Sequence, residues 1–445
     1  TGKISGSLIL GDHVLSSGFE YKTSTYNINY HNQVLERNAV DDFVETHNMG
    51  LGDVANRLPS VFIMDSWRMT NWLNLTAGIR WDGHYIVGSN GKIVQTLSVP
   101  LQPRVGFIIL PDRDNSQRIF GSFGRYSQEF PLAQSADYHT ENGYSLVTRF
   151  DHDPRLDSTG GAIVNYSPHV IRPEVKDLLA PYYDEFSLGY ERAIGWNTKV
   201  GVQGVYRTLR QTIEVVWLQD IQNSQYGNPG RGILSDWPKP VRDYTAAIIT
   251  IEHSGNEHFN FLASYVISRN YGNYEGFFSS FFPIQVPNAG VSFNDLASSR
   301  INVAGLLPND RTHIFKFSGY YNFSFGIITG ISFIVQSGTP LSEFFRTDNR
   351  GIQFLSPRGS VGRTPAIWDL SARIIYKMNI ISDWHTKLIL DVSHIASQSE
   401  VVDIDQQKYL SVDINGNPSN PNHTYGEAFR YQPSMSIRLG MEVSF

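Results

Sequence analysis

Hydrophobic and polar residues alternate singly along much of the chain, most cleanly at its end. There Met435, Ile437, Leu439, Met441, Val443 and Phe445 fall on one side, and Ser436, Arg438, Gly440, Glu442 and Ser444 on the other. A strand has a side-chain period of two, so this segment offers one face to an apolar medium and the other, with both charges, to a wet one. The pattern recurs at 73–82, where Leu73, Leu75, Ala77, Ile79 and Trp81 oppose Asn74, Thr76, Gly78, Arg80 and Asp82. It recurs again at 368–377, where Trp368, Leu370, Ala372, Ile374 and Tyr376 oppose Asp369, Ser371, Arg373, Ile375 and Lys377. Such segments, bounded by turn residues, predict about fifteen strands. They lie at 4–10, 14–25, 61–69, 73–85, 103–110, 118–127, 185–194, 199–217, 244–253, 259–270, 313–323, 327–336, 367–378, 386–395 and 434–445.

The connections alternate as well. Short ones at 11–12, 70–71, 112–116, 195–197, 254–257, 324–326 and 379–384 are interleaved with long ones at 26–60, 86–102, 128–184, 218–243, 271–312, 337–366 and 396–433. A soluble sandwich has no reason to keep that parity, whereas a bacterial outer-membrane barrel has short periplasmic turns and long external loops in strict alternation. The expected fold is all-β, a transmembrane antiparallel β-barrel whose apolar face meets lipid. With a periplasmic carboxy terminus, counting back makes the first strand run inward from the outside. Single-chain bacterial barrels favour an even strand number, so the expectation is one barrel domain over 1–445, incomplete at its amino end.

Bulk composition alone would suggest a soluble protein: hydrophobic residues are 41% and mean hydropathy is negative. A polar lumen-facing half gives a barrel the same bulk values. No run of about eighteen apolar residues exists, which excludes helical membrane spans. Aromatics at 13% suit interfacial girdles, and no shift in composition marks a domain boundary. A net charge of −6 provides no basic face for nucleic acid. The absence of cysteine excludes disulfides and thiolate metal sites, as in many envelope proteins. The start, Thr1-Gly-Lys-Ile-Ser, shows neither the basic nor the apolar part of a signal peptide.

Candidate chemistry is sparse. Asp151, Asp153 and Asp157 have spacings that suit calcium, but no glutamate closes the loop, and a solvated polar turn is the ordinary account. His13, His253 and His258 flank tight turns without the three or four convergent ligands zinc needs. No metal and no cofactor is expected. Neither nucleophile elbow, phosphate loop nor carboxylate pair is present, so no enzyme is expected. The most suggestive binding segment is YGNYEGFFSSFF, with Tyr271, Tyr274, Phe277, Phe278, Phe281 and Phe282 in a long external loop. Exposed aromatic clusters mark ligand or partner surfaces, although packing against other loops or a place in the upper girdle explains aromatics here equally. On the polar faces, Arg80, Asp82, Arg373, Lys377, Arg438 and Glu442 are expected to face the lumen, where they contact a plug or line a wet channel.

Several stretches, LNLTAGIRWD (73–82), LQPRVGFIILPDRDNSQRIFGSFGRYSQEFP (101–131), DEFSLGYERAIGWNTKVGVQG (184–204), LASYVISRNYGNYEG (262–276), RTPAIWDLSARIIY (363–376) and the last strand, carry a resemblance. Together they resemble the barrel half of TonB-dependent outer-membrane receptors, especially the subgroup with a carboxypeptidase-regulatory-like amino-terminal domain. The resemblance implies a barrel of about twenty-two strands, of which this chain supplies the carboxy-terminal part. It implies residence in the outer membrane of a Gram-negative bacterium, contact with outer-membrane lipid, and uptake of a scarce solute through a plugged barrel. The amino-terminal plug that the resemblance implies is not recognisable in this chain, and coupling to a TonB-type energy-coupling protein would reside in the same missing amino-terminal part. Two other readings share the strands: a structural or docking protein binding another envelope or surface component through its long loops, and a passive porin-like channel.

Overall fold

The computed structural model describes residues 1–445 except 38–42, 113, 115, 133–138, 142, 170, 219–222, 255–257, 277–300, 347–351, 382–383, 396–398, 414 and 445. Fifteen strands form one antiparallel meander: β1 (Gly2–Leu10), β2 (His13–Arg37), β3 (Phe43–Arg68), β4 (Leu73–Asp82), β5 (Gln102–Ile109), β6 (Gln117–Ser127), β7 (Tyr182–Gly195), β8 (Thr198–Gln211), β9 (Arg242–Ser254), β10 (Phe259–Gly272), β11 (His313–Asn322), β12 (Ile327–Gln336), β13 (Ile367–Ile381), β14 (Trp384–Ser393) and β15 (Ser436–Ser444). Each pairs with the next in sequence. Every strand expected from the alternation has its counterpart here. Among the described residues β1 and β15 pair on one side only, so the sheet has two open edges.

Register fixes the facing of every side chain. Leu439 stands opposite Leu390, and Ile437 opposite Val392; on the same side Ile374 meets both Leu390 and Thr329, and Ile331 meets Gly319. Leu439 is 79% exposed, as are many other large apolar side chains of this face in smaller degree. Such a continuous apolar surface is stable only against hydrocarbon. Its borders are aromatic. At the long-loop end Phe315, Phe333 and Trp368 succeed one another at ring distances of 6.2 and 6.1 Å. At the short-turn end His13 stacks on Trp67 at 5.1 Å, and Tyr321, Phe323 and Phe325 follow in a row. On β13 the stretch from Trp368 to Tyr376 spans about 26 Å of strand at the usual rise, which matches an apolar band of about 25 Å.

The short turns obey strand-twist chemistry. Leu10 pairs with His13 around Gly11 and Asp12, and Gly11 takes a φ of +59°, open to glycine without strain.

Three expectations need correction. Residues 26–60 are not a loop: β2 and β3 run on as a ribbon, because Tyr26-Asn-Ile-Asn-Tyr and Gly50-Leu-Gly-Asp-Val keep the pairing in register from Arg37 and Phe43 down to His13 and Trp67. At 25 residues and about 3.3 Å each, β2 far exceeds the membrane thickness and must project outward. The segment 199–217 breaks at Gln211; Glu214–Leu218 instead pairs with Asn223–Gly227 as a separate hairpin. Likewise 73–85 ends at Asp82, and His84–Val87 folds against Ile93–Leu97.

Candidate ligand-facing surfaces

The polar face collects the charges singled out from sequence. Arg80 donates from Nε to Asp82 at 2.7 Å and reaches Glu20 at 3.3 Å, while Gln102 donates to the other oxygen of Asp82 at 2.5 Å. Arg373 and Arg438 both bond Asp391, at 2.5 and 2.9 Å. Lys387 bonds Glu442 at 2.7 Å and stands directly opposite Lys377 in register. Register therefore places Arg80, Asp82, Arg373, Lys377, Arg438 and Glu442 on the face opposite the exposed apolar one. Their partners Glu20, Asp391 and Lys387 went unnoticed in the sequence. The available signal was that Asp391 and Lys387 lie on the polar side of an adjacent strand at the same height, and Glu20 on the polar side of the next strand but one.

At the other end the long connections are packed together. Ile28 and Val54 of the projecting ribbon, Ile86 and Leu97 of the hairpin after β4, Phe130, Leu132, Leu178 and Ala180 between β6 and β7, Ile213 and Tyr226 between β8 and β9, and Tyr274 after β10 form one buried cluster. Val303, Phe344, Ile352 and Phe354 form a second, which joins the connections after β10 and β12. The fully buried Arg358 lies 3.9 Å from Glu275 and over the Phe354 ring at 4.6 Å, linking the clusters. Phe344 and Phe345 pair alongside Gln407 and Tyr409, bringing in the connection before β15. Lys408 and the Tyr425 hydroxyl both reach Glu343, which holds its carboxyl below the ordinary range, while burial and that carboxylate push the Tyr425 phenol up to about 12.

Of the suggested aromatic binding segment, Tyr274 is buried in the first cluster. Tyr271 lies beneath the Arg269 guanidinium at 4.4 Å, and register puts both on the apolar side near the external rim. Phe277, Phe278, Phe281 and Phe282 fall outside the described residues. Asp151, Asp153 and Asp157 do not converge: Asp151 bonds His152, Asp153 accepts hydrogen bonds from the Arg155 side chain and backbone N–H, which hold its carboxyl at about 2, and Asp157 binds Thr159. Among the described residues no group of three or more histidine or acidic side chains is arranged to hold a metal ion.

No family model matches the sequence. The chain is 27% identical over 390 residues to TonB-dependent transporter Oar of Myxococcus xanthus, covering 78% of this chain and 36% of that protein. In structure it is similar to the outer membrane transporter YddB from Escherichia coli, with a TM-score of 0.58, 11% identity and coverage of 99% of this chain and 53% of that one. A second likeness is to the siderophore receptor PiuA from Acinetobacter baumannii, with a TM-score of 0.54, 10% identity and coverage of 99% and 54%. The fold is that of the outer-membrane transporter and receptor barrels it matches. In that setting the apolar face is the lipid face, the polar face lines the lumen side, and the packed connections are external. The chain spans about half the length of the structures it matches and about a third of the Myxococcus protein. The relatives are named as transporters and receptors, not enzymes.

Proposed function

We propose that this receptor barrel is the wall of an energy-coupled importer: its external connections capture a scarce solute, and a TonB-type protein drives passage past a plug. The observation that most supports this reading is the burial of residues from successive long connections in shared clusters at one end, above a wall of paired charges. A passive channel needs no such folded cap. The open edges of β1 and β15 fit a sheet closed by further strands of the same protein, which with about seven more would reach about twenty-two. The test is to mix the full-length receptor with the purified carboxy-terminal domain of TonB. Formation of a complex is expected; steady conductance in planar bilayers with no complex would instead identify a porin-like channel.

One observation favours a docking role. The strand Ala162–Pro168, which among the described residues pairs only with Gly143–Phe150, exposes Ile163, Val164 and Tyr166 on a sheet that continues from the projecting ribbon. An unpaired apolar edge at that height is a surface on which another envelope or surface protein can add a strand. Loss of a co-purifying partner upon Val164→Pro would support it.

A further inference from the structure

The outer face of β5 to β9 carries an apolar groove of about 590 Å³. Its floor is low because Gly121 and Gly204, on either side of Leu188 in register, bring no side chain to it. A Cβ placed on Gly204 would meet no atom nearer than 4.0 Å. The next row outward is aromatic: Phe123, Phe186 and Tyr206 follow one another at ring distances of 4.7 and 6.5 Å. Tyr206 pairs with Thr245 and Thr245 with Arg269, so this row belongs to the apolar side, where Phe186 and Leu188 are 44% and 60% exposed. These are the fifth to ninth of fifteen strands, away from both open edges, and a plug would stand on the other side of the wall.

Two residues further along each strand the apolar run stops. The outward positions there are Arg125 and Asp184, directly opposite in register and about 7 Å of strand beyond Phe123 and Phe186. Arg125 donates to both oxygens of Asp184, at 2.7 and 3.0 Å, and lies 5.0 Å over the Tyr182 ring. Arg210, set at an irregularity in the pairing of β7 with β8, touches the same carboxylate through Nε, at 2.9 Å. The Asp184 side chain is 4% exposed and that of Arg210 47%. Arg269 and Asp243 lie on the same rim, so three guanidinium groups stand against two carboxylates.

We propose that this site holds one phosphate-bearing lipid of the outer leaflet, with an acyl chain along the glycine-floored groove and its phosphate on Arg210 and the Arg125–Asp184 pair. The reading needs the barrel and its lipid face, and does not depend on import. Hydrocarbon covers this face, so the occupant of a groove continuous with it is itself a lipid. Guanidinium groups take phosphate oxygens in a fixed fork, and aromatic rings sit where chain gives way to headgroup.

The test is native mass spectrometry of the full-length receptor released from detergent micelles, with dioleoyl phosphatidic acid titrated against dioleoyl phosphatidylcholine. One phosphatidic acid should bind in preference to the choline lipid. Arg210→Gln, which leaves Asp184 paired with Arg125, should weaken that binding by about tenfold, the scale of one charge-assisted hydrogen bond. Gly204→Leu fills the groove without altering charge and should weaken it as well, whereas Gly6→Leu, on the lipid face of β1, should not. Asp243→Asn should tighten it, a change that damaged folding cannot mimic. Equal binding of the two lipids, or indifference to either Arg210→Gln or Gly204→Leu, would overturn the proposal. Displacement of the lipid by inorganic phosphate at equal concentration would overturn it too, by assigning the guanidinium groups to free phosphate.

Discussion

Tyr425 donates its phenolic hydrogen to Oε1 of Glu343 at 2.7 Å, joining two external connections that lie 82 positions apart in the chain. The contact is closed by Lys408, which reaches the same oxygen at 3.0 Å. Each partner's titration is displaced, and the displacements bracket a pH window.

Glu343 has its carboxyl lowered by the Tyr425 hydroxyl and by Lys408, so its contribution is complete above the ordinary value of 4.5 and is lost as pH falls through the lower folded value. Tyr425 is raised to about 12, so its contribution is complete below 10 and is lost as pH rises toward 12. Hydrogen exchange over Gln407–Val412 should therefore be slowest, relative to the intrinsic rate, between these limits. Tyr425→Phe should abolish the alkaline loss and leave the acid limb in place, shifted. An unchanged alkaline limb would detach the phenol from the stability of this segment.

Leu439 and Ser436 sit on opposite faces of β15. Leu439→Arg should impair membrane insertion by about 2–4 kcal/mol, the cost of a charge facing the middle of the bilayer. Ser436→Arg should cost far less, because its side chain stays in a wet lumen. Assembly assays in which the two are equal would refute the facing.

Tyr274 and Tyr271, three positions apart, should separate cleanly. Tyr274→Ala removes a ring from the buried external cluster and should destabilise the cap by about 3–5 kcal/mol. Tyr271→Ala loses a ring stacked under Arg269 near the rim and should cost about 1 kcal/mol, the scale of a cation–π contact. Limited proteolysis of the external connections reads the difference. Equal susceptibility would mean that Tyr274 is not a cap residue.

The barrel was legible because period-two alternation and loop parity are local, and both survive wherever one face meets lipid and the other water. Where neither condition holds, the sequence misled. Beyond the membrane the ribbon from Thr25 to Ser60 buries one face, with Ile28 and Val54 inside and Asn27, Leu51 and Asp53 exposed, but Gly50, Asn56 and Ser60 also hold buried positions there, which breaks the hydrophobic alternation that would have marked it as strand. The external cap was equally hidden, since Ile86, Phe130 and Ile213 come from separate short apolar runs that only folding unites. The lumen charges could be assigned to a face from their spacing. Their 2:1 sharing with Asp391 depends on strands at 367–381, 384–393 and 436–444 lying side by side, which spacing does not state.

Single nitroxide labels can be placed through cysteine substitutions at each position from 436 to 443 in the full-length receptor in lipid vesicles, with no native cysteine of this chain to compete and any other replaced by serine. Collision rates with oxygen, which dissolves in hydrocarbon, and with a water-soluble nickel chelate then report the surroundings of each side chain. Hydrocarbon against the apolar face requires oxygen to dominate at 437, 439, 441 and 443, and nickel at 436, 438, 440 and 442. Nickel dominance throughout, or no two-residue period, would contradict a lipid-facing barrel.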